Sequence, residues 1–344
     1  MAVDAPSPVR PSLVTVGGLT VDCVIAADGA VALERAGGNG AYSAVGALLW
    51  ADRVGVVSCA PRAYPGSVLA RLQGAGVDTG GVRWFDYSPA SCGWFVYDAE
   101  GRREEGLNAP AAALAEAGLP TDRLDTAQVA EWSAALRARA VPGEVSYAEF
   151  RAAHPITPAQ VPEGWLSARG VHLAPSAPEV MTAMLDRFAS GRPIITADPG
   201  WQLAERPLAS LAPLLVRLDA FLPSEVEARA LVPGAGPEQA LRVLADLCPG
   251  AVAVKLGPRG VLVWDRAADR GVPVPPAPAA TLDPTGAGDA FCGGFLAGLV
   301  ETADPVAAAR FGALSAARVV ERFGAEGALP HDRAAARATL SRAA

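Results

Sequence analysis

Residues 283–295 read Asp-Pro-Thr-Gly-Ala-Gly-Asp-Ala-Phe-Cys-Gly-Gly-Phe and hold the densest chemistry in the chain. A proline turn leads through Gly286, Ala287 and Gly288 into a long apolar stretch with the composition of a buried helix. The first N–H groups of a helix have no partner within it, and the helix dipole places positive partial charge there. Small residues let a phosphate come close to those N–H groups. Asp289 falls in the first turn, beside this anion site, where a carboxylate can take a proton from an attacking hydroxyl. The pattern therefore reads as phosphoryl transfer with Asp289 as the base. A capping aspartate is the plainer reading of Asp289 taken alone, and the whole run of small residues before it favours the base.

Four further constellations accompany it. Ala36-Gly-Gly-Asn-Gly-Ala-Tyr42 opens a helix; its glycines allow close backbone approach, and Asn39 carries both a donor and an acceptor for hydroxyl groups. Val16-Gly-Gly-Leu-Thr-Val-Asp22 ends a strand with an aspartate that can accept from two hydroxyls of a polyol; a turn aspartate is the other reading of Asp22. Leu222-Pro-Ser-Glu-Val-Glu227 places two acids at a helix start, with Ser224 as a natural cap. Val254-Lys-Leu-Gly-Pro-Arg-Gly260 carries Lys255, the only lysine in the sequence, with Gly257 and Gly260 suited to a tight turn. Asp198-Pro199, after a strand, is a weaker candidate for the border of a phosphate site.

The elements that must hold these residues follow from apolar periodicity. Leu13–Gly17 reads as a buried strand, 21–33 as a half-exposed strand pair and 39–51 as a helix. Val54–Ser58 reads as a strand and 65–76 as a helix. The aromatic-rich stretch 82–97 reads as exposed sheet with turns, and 125–140 as a helix within an otherwise proline-punctuated segment. From Gly170 a regular rhythm sets in: strands at 171–174, 193–198, 220–222, 251–255 and 260–264 alternate with helices at 178–190, 203–217, 224–231 and 237–248. Two last helices span 286–301 and 304–323. Alternation of this kind predicts a mostly parallel sheet covered on both faces.

Of the 344 residues, 51% are apolar, enough for a large core, and the net charge is −7, the wrong sign for a general nucleic-acid binder. The five cysteines (Cys23, Cys59, Cys92, Cys248, Cys292) are scattered, as reduced thiols in a cytosol would be, and the three histidines lie far apart, which argues against a zinc site. The first eleven residues hold three prolines and no apolar run, so neither a signal peptide nor an anchor is expected. There is no G-x-x-x-x-G-K-[ST] run, no G-x-G-x-x-G after the first strand, and no protein-kinase signature.

The run ending at Asp289 resembles the C-terminal signature of the ribokinase-like (PfkB) carbohydrate kinases, and Gly37-Gly38 resembles their N-terminal Gly-Gly signature. The resemblance extends from about residue 14 to 329. It implies an α/β ribokinase-like domain over 12–330, doubly wound, with a mostly parallel sheet and helices on both faces. A small β-sheet lid is expected from parts of 19–36 and 82–106, an atypical insertion at about 107–166, and a C-terminal helix or tail over 331–344. By the same resemblance Asp289 is the general base, and Gly286, Ala287 and Gly288 form the anion hole. Asp22, Thr20, Gly38 and Asn39 touch the acceptor; Lys255, Gly257, Gly260 and Thr285 shape the nucleotide site. Glu225 contacts Mg2+ through water, with Glu227 as the alternative. Tyr42 stands where family members often carry asparagine.

The implied activity is cytoplasmic, ATP- and Mg2+-dependent transfer of a γ-phosphate to a hydroxyl of a small sugar. A nucleoside kinase is the nearest rival, with Trp94 or Phe95 of the lid stacking a base. A non-catalytic sugar- or nucleotide-binding protein is the rival from another class. Partners are a small-molecule acceptor, no nucleic acid and no membrane, with a homodimer through the lid as an option. The acceptor, the hydroxyl phosphorylated, a monovalent-cation requirement and the task of residues 107–166 stay open. That segment has three readings: lid extension, acceptor-pocket lining or interface.

Overall fold

Leu13–Val16 (β1) is apolar or β-branched throughout and buried at every position, the signature of a strand covered on both faces. The computed structural model describes residues 10–26, 30–86, 92–97, 145 and 147–342, with isolated helical positions between 127 and 138. In it, β1 lies between two parallel neighbours, Val54–Pro61 (β4) and Gly170–Leu173 (β7). Parallel pairing continues outward on one side to Val77–Phe85 (β5). On the other side it runs through Ile194–Ala197 (β8), Ala220–Phe221 (β9) and Ala251–Lys255 (β10). Val261–Asp265 (β11) and Arg270–Val274 (β12) close that edge as antiparallel strands. The nine-stranded order is β12-β11-β10-β9-β8-β7-β1-β4-β5.

Helices cover both faces. On one lie Asn39–Leu48 (α1), Gly66–Gly74 (α2), Ala287–Thr302 (α9), Pro305–Val320 (α10) and Arg333–Arg342 (α11). On the other lie Pro178–Phe188 (α4), Gly200–Ala204 (α5), Leu208–Leu215 (α6), Glu225–Leu231 (α7) and Pro237–Leu247 (α8). α8 shows why: Pro237 starts it, and Ala240, Leu241, Leu244 and Ala245 form the one buried stripe that faces the sheet. α9 is apolar all round because it is buried all round, between the sheet, α1 and α10. A Cβ on Gly293 would fall 1.9 Å from the Ser43 carbonyl oxygen of α1, so the helix bearing Asp289 can lie this close only with glycine there.

The lid is a separate three-stranded sheet. Thr20–Ile25 (β2) pairs antiparallel with Val31–Gly37 (β3) and parallel with Cys92–Val96 (β6). Glu326, only 2% exposed, accepts the Ala36 N–H at 2.9 Å and meets Arg35 at 3.5 Å, fastening β3 to the chain far downstream.

Several boundaries differ from the sequence reading. Trp84 and Phe85 sit in β5, an edge strand of the main sheet rather than part of the lid, because 77–85 can extend the parallel ladder beside β4. The single helix expected over 203–217 is two, α5 and α6, since Pro207 cannot donate to a continuing helix. β12, with Pro273 in it, gave too little pattern to be read. The expected helix at 125–140 is helical at Ala127, Ala130, Glu131, Ala134, Arg137 and Ala138, and lid residues 98–106 lie outside the described residues. A short helix, Tyr147–Ala153 (α3), emerges near the end of the long middle segment.

Candidate active site

The loop before α9 is held from inside. Asp283 accepts the Thr285 N–H at 2.9 Å, and the Thr285 hydroxyl shares a 2.7 Å hydrogen bond with the Tyr97 hydroxyl, just beyond β6. One end of the lid is thereby tied to the signature loop. Gly286 caps α9 with φ 73°, a left-handed conformation that glycine adopts freely. The Ala287 N–H turns back to the Pro284 carbonyl at 3.3 Å, while no acceptor among the described residues takes the Gly288 N–H. The helix start thus presents N–H and dipole toward the site where Asp289, half-buried in the first turn, is placed.

Beside it stands a buried charge pair. Asp198 leaves the end of β8 and Lys255 the end of β10, and the lysine ammonium contacts the carboxylate Oδ2. Their side chains are 5% and 10% exposed. Cys292, one turn into α9, puts its sulfur 3.4 Å from Lys255 Nζ and 3.5 Å from Asp198 Oδ2. A Cβ on Gly288 would lie 3.6 Å from Lys255 Nζ, so the ammonium sits directly behind the anion loop. Burial pushes the Asp198 carboxyl up to about 7, opposed by Lys255 and helped by Glu227 and Asp289. Burial works against the lysine charge, but the Asp198 carboxylate outweighs it and keeps Lys255 cationic well past its ordinary range. Asp198 Oδ1 has no hydrogen-bond partner among the described residues.

At the helix start of α7, Ser224 and Glu227 form a reciprocal cap. The Ser224 N–H and hydroxyl both donate to Glu227 Oε2 at 2.7 Å, and the Glu227 N–H donates back to the serine oxygen at 3.3 Å. Glu225 points away from this, with one carboxylate oxygen on Arg229 at 2.7 Å and the other in contact with Arg259. Gly257 and Gly260, at φ 60° and 88°, make the turn between β10 and β11. No group of three His, Cys, Asp or Glu side chains able to hold a metal ion by itself occurs among the described residues.

The candidate acceptor residues gather at the other side of the loop. Asn39 accepts the Gly18 N–H at 2.5 Å and donates to the Pro175 carbonyl at 3.1 Å, joining the ends of β1 and β7. One amide hydrogen and one lone pair of Asn39 are left over. Asp22 is 1% exposed and accepts from the Thr20 hydroxyl at 2.8 Å. The Tyr42 ring packs under Gly286, and its hydroxyl, raised by burial and by the charges of Asp22 and Asp283, stays neutral. A cavity of about 560 Å³ opens at these strand ends, walled by Gly18, Ser58, Pro175 and Val180 from the domain and by Tyr147 and Arg151 from α3. Phe95 is half-buried in the lid, and the Trp94 side chain lies outside the described residues.

Three features escaped sequence reasoning. The Asp198–Lys255–Cys292 contact joins residues from three elements; Asp198 and the one lysine were each singled out, but nothing in the sequence paired them or added Cys292. The Tyr97–Thr285 bond left no local pattern, and the α3 wall had only the general reading of residues 107–166 as one of lid extension, pocket lining or interface.

Residues 162–332 match the model of the pfkB family carbohydrate kinases. Among curated sequences, the chain is 30% identical over 167 residues to a cytidine kinase of Thermococcus kodakarensis, covering 48% of this chain and 59% of that protein. It is 36% identical over 140 residues to an uncharacterized sugar kinase of Archaeoglobus fulgidus, covering 40% and 53%. The chain thus spans little more than half the length of these relatives. The ribokinase from Giardia lamblia superposes over 98% of this chain and all of its own (100%), with a TM-score of 0.68 at 18% identity. That likeness shows the fold.

Proposed function

We propose that this chain, whose residues 162–332 match the pfkB family of carbohydrate kinases, is a kinase of that family and moves the γ-phosphate of ATP to a hydroxyl of a small polyhydroxylated acceptor, a sugar or the sugar of a nucleoside. The observation that carries this is Asp289 in the first turn of α9, next to the 286–288 loop that has the Lys255 ammonium behind it. An acceptor hydroxyl within reach of Asp289 gives up its proton as its oxygen attacks phosphorus. The N–H groups and helix dipole meet the charge that develops on the transferring group. Lys255, held in place by Asp198, adds a fixed positive charge from behind. Burial of the strand ends beneath the lid keeps water from competing as acceptor.

Asp22 is the candidate partner for acceptor hydroxyls, oriented by Thr20, and Gly38 with Asn39 forms the backbone floor. Gly257, Gly260 and Thr285 are the candidate nucleotide contacts. Mg2+ typically comes with the phosphates and is held by one or two carboxylates through water. The unpartnered Oδ1 of Asp198, together with Glu227 Oε1, which takes none of the capping bonds, offers hard oxygen donors that fit such an ion. Glu225, engaged by two arginines, fits it less well. When bound, the ion would neutralise charge on the terminal phosphates.

The names of the relatives, a cytidine kinase and a sugar kinase, support both forms of the acceptor. The test is ADP release from Mg-ATP across pentoses, hexoses, polyols and nucleosides, run beside Asp289→Asn. An acceptor that raises ADP release in the wild type alone is the expected result. Nucleotide binding without turnover on any acceptor would instead make this a binding protein.

A further inference from the structure

One wall of the cavity at the strand ends lies outside the stretch that matches the family model. The match to the family model begins at residue 162, whereas α3 spans 147–153. This short helix is firmly set. Phe150, 2% exposed, packs edge-on against Phe85 at 5.9 Å, and His154 stacks on the same Phe85 ring at 3.9 Å. The following turn is tied to the end of β4: Gln160 donates to the Ser58 carbonyl at 2.6 Å, and the Cys59 thiol reaches the Pro155 carbonyl at 3.7 Å. A wall fixed at both ends can select a ligand, because it does not give way to the wrong one.

What the wall presents is specific. The Tyr147 hydroxyl reaches the first-strand loop; a Cβ on Gly18 would lie 2.0 Å from it. Burial pushes that hydroxyl up to about 12, with Asp22 adding to the effect and Arg151 opposing it by charge and by a hydrogen bond to the same oxygen. Tyr147 is therefore a neutral hydroxyl hydrogen-bonded with Arg151 and close to the Gly18 loop. Arg151 is the one lysine, arginine or carboxylate side chain among the described residues lining the cavity. Most of the remaining lining is apolar, including Phe150, Ile156, Pro175 and Val180. At about 560 Å³, the space falls in the range that holds drug-sized ligands, more than a lone monosaccharide fills. A bare sugar would leave the apolar wall wet. A strongly acidic acceptor would meet a single guanidinium in an otherwise apolar surround.

We infer that α3 selects the acceptor: the cavity takes a sugar joined to a planar, carbonyl-bearing ring, as in a nucleoside, with the ring against the apolar wall and its carbonyl oxygen on Arg151. Tyr147 then stands at the junction of ring and sugar, on the side toward Asp22. This deepens the kinase reading and rests on it for the direction in which the sugar points.

The test pairs binding with turnover. Cytidine, uridine and inosine, beside free ribose and gluconate, are titrated calorimetrically into the wild type, Arg151→Gln and Arg151→Lys without nucleotide. The same probes are assayed for ADP release with Mg-ATP. The expected result is nucleoside binding that weakens about tenfold to a hundredfold in Arg151→Gln, the worth of a hydrogen bond to a charged group. Arg151→Lys should recover part of it, and the KM for ATP should not change. Thermal melting of each variant separates lost affinity from lost fold; should Arg151→Gln melt early, Tyr147→Phe replaces it, with the same loss of discrimination between cytidine and ribose expected. Nucleoside binding without ADP release would sink the kinase reading and leave the wall intact. Turnover of ribose or gluconate equal to that of nucleosides, or nucleoside affinity unmoved in folded Arg151→Gln, would overturn the inference and leave the kinase standing.

Discussion

Gly286 stands over the ring of Tyr42, so close that a Cβ on the glycine would fall 2.1 Å from the tyrosine Cγ. The same glycine holds φ 73°, which costs an L-residue roughly 1–2 kcal/mol. Gly286→Ala should therefore displace the anion loop and lower kcat by more than about tenfold, with an overpacking loss of about 1–3 kcal/mol in stability. Tyr42→Phe is the control: the Tyr42 hydroxyl has no hydrogen-bond partner among the described residues, so its removal should leave stability unchanged or slightly higher. Thermal melting and steady-state turnover of both variants check the pair.

Asp289→Asn keeps the shape of the side chain and removes its basicity. Turnover should fall by about 10²–10⁴, with the KM values for ATP and acceptor within a few-fold of the wild type. A variant with undiminished kcat would reduce Asp289 to a helix cap.

Lys255→Met leaves the Asp198 carboxylate buried and uncompensated. Removing one partner of such a pair typically costs about 3–5 kcal/mol, measurable by urea denaturation. The double variant Lys255→Met with Asp198→Leu should recover most of that stability, since an apolar pair of similar volume replaces both charges. It should not recover turnover. Recovery of both would make the pair purely structural.

Asp283 gives a pH signature. Burial raises its carboxyl above the ordinary range despite the opposing bonds from Thr285 and Gly324. The folded chain then holds a proton that the unfolded chain has released. Its stabilising contribution is complete below the ordinary carboxylate pKa and is lost as the pH climbs through the raised folded value. Asp283→Asn, which can still accept the Thr285 N–H, should flatten the fall of the urea midpoint as the pH climbs above the ordinary carboxylate range and raise it at the upper end.

Glu227 and Glu225 separate by their partners. Glu227→Gln should raise the Mg2+ concentration needed for half-maximal ADP release by about tenfold. Glu225→Gln frees only exposed arginines, so it should alter stability by less than about 1 kcal/mol and leave the Mg2+ requirement where it was.

Much of the fold was legible because its central strands are buried on both faces and therefore mostly apolar, as in β1, β7 and β10. The signature loop was legible because an anion site at a helix start demands small residues in a row. The lid was read from the alternation over 21–33, but residues 82–85, grouped with it, belong to β5 of the main sheet. An edge strand is half-exposed, and the sequence does not say which sheet it edges. The Asp198–Lys255–Cys292 cluster and the seat of α3 were hidden for a different reason. Each depends on residues about 40 to 100 positions apart, and no periodicity spans such distances.

The bond between Glu326 and the Ala36 N–H joins residues 290 positions apart. A ribosome working at 5–20 residues per second needs roughly 15–60 s to cross that interval. Through all of it the lid strand β3 waits without its anchor, while the sheet from β1 to β10 can already pair. Late arrival of residue 326 makes the fastening of β3 a late event in synthesis. A nascent chain that already carries the anion loop and its base could tie the lid through Tyr97 and Thr285 but would still lack the second fastening, at β3. Ribosome-bound chains stalled before this residue are thus the species in which the lid should be most open to proteases and to chaperones.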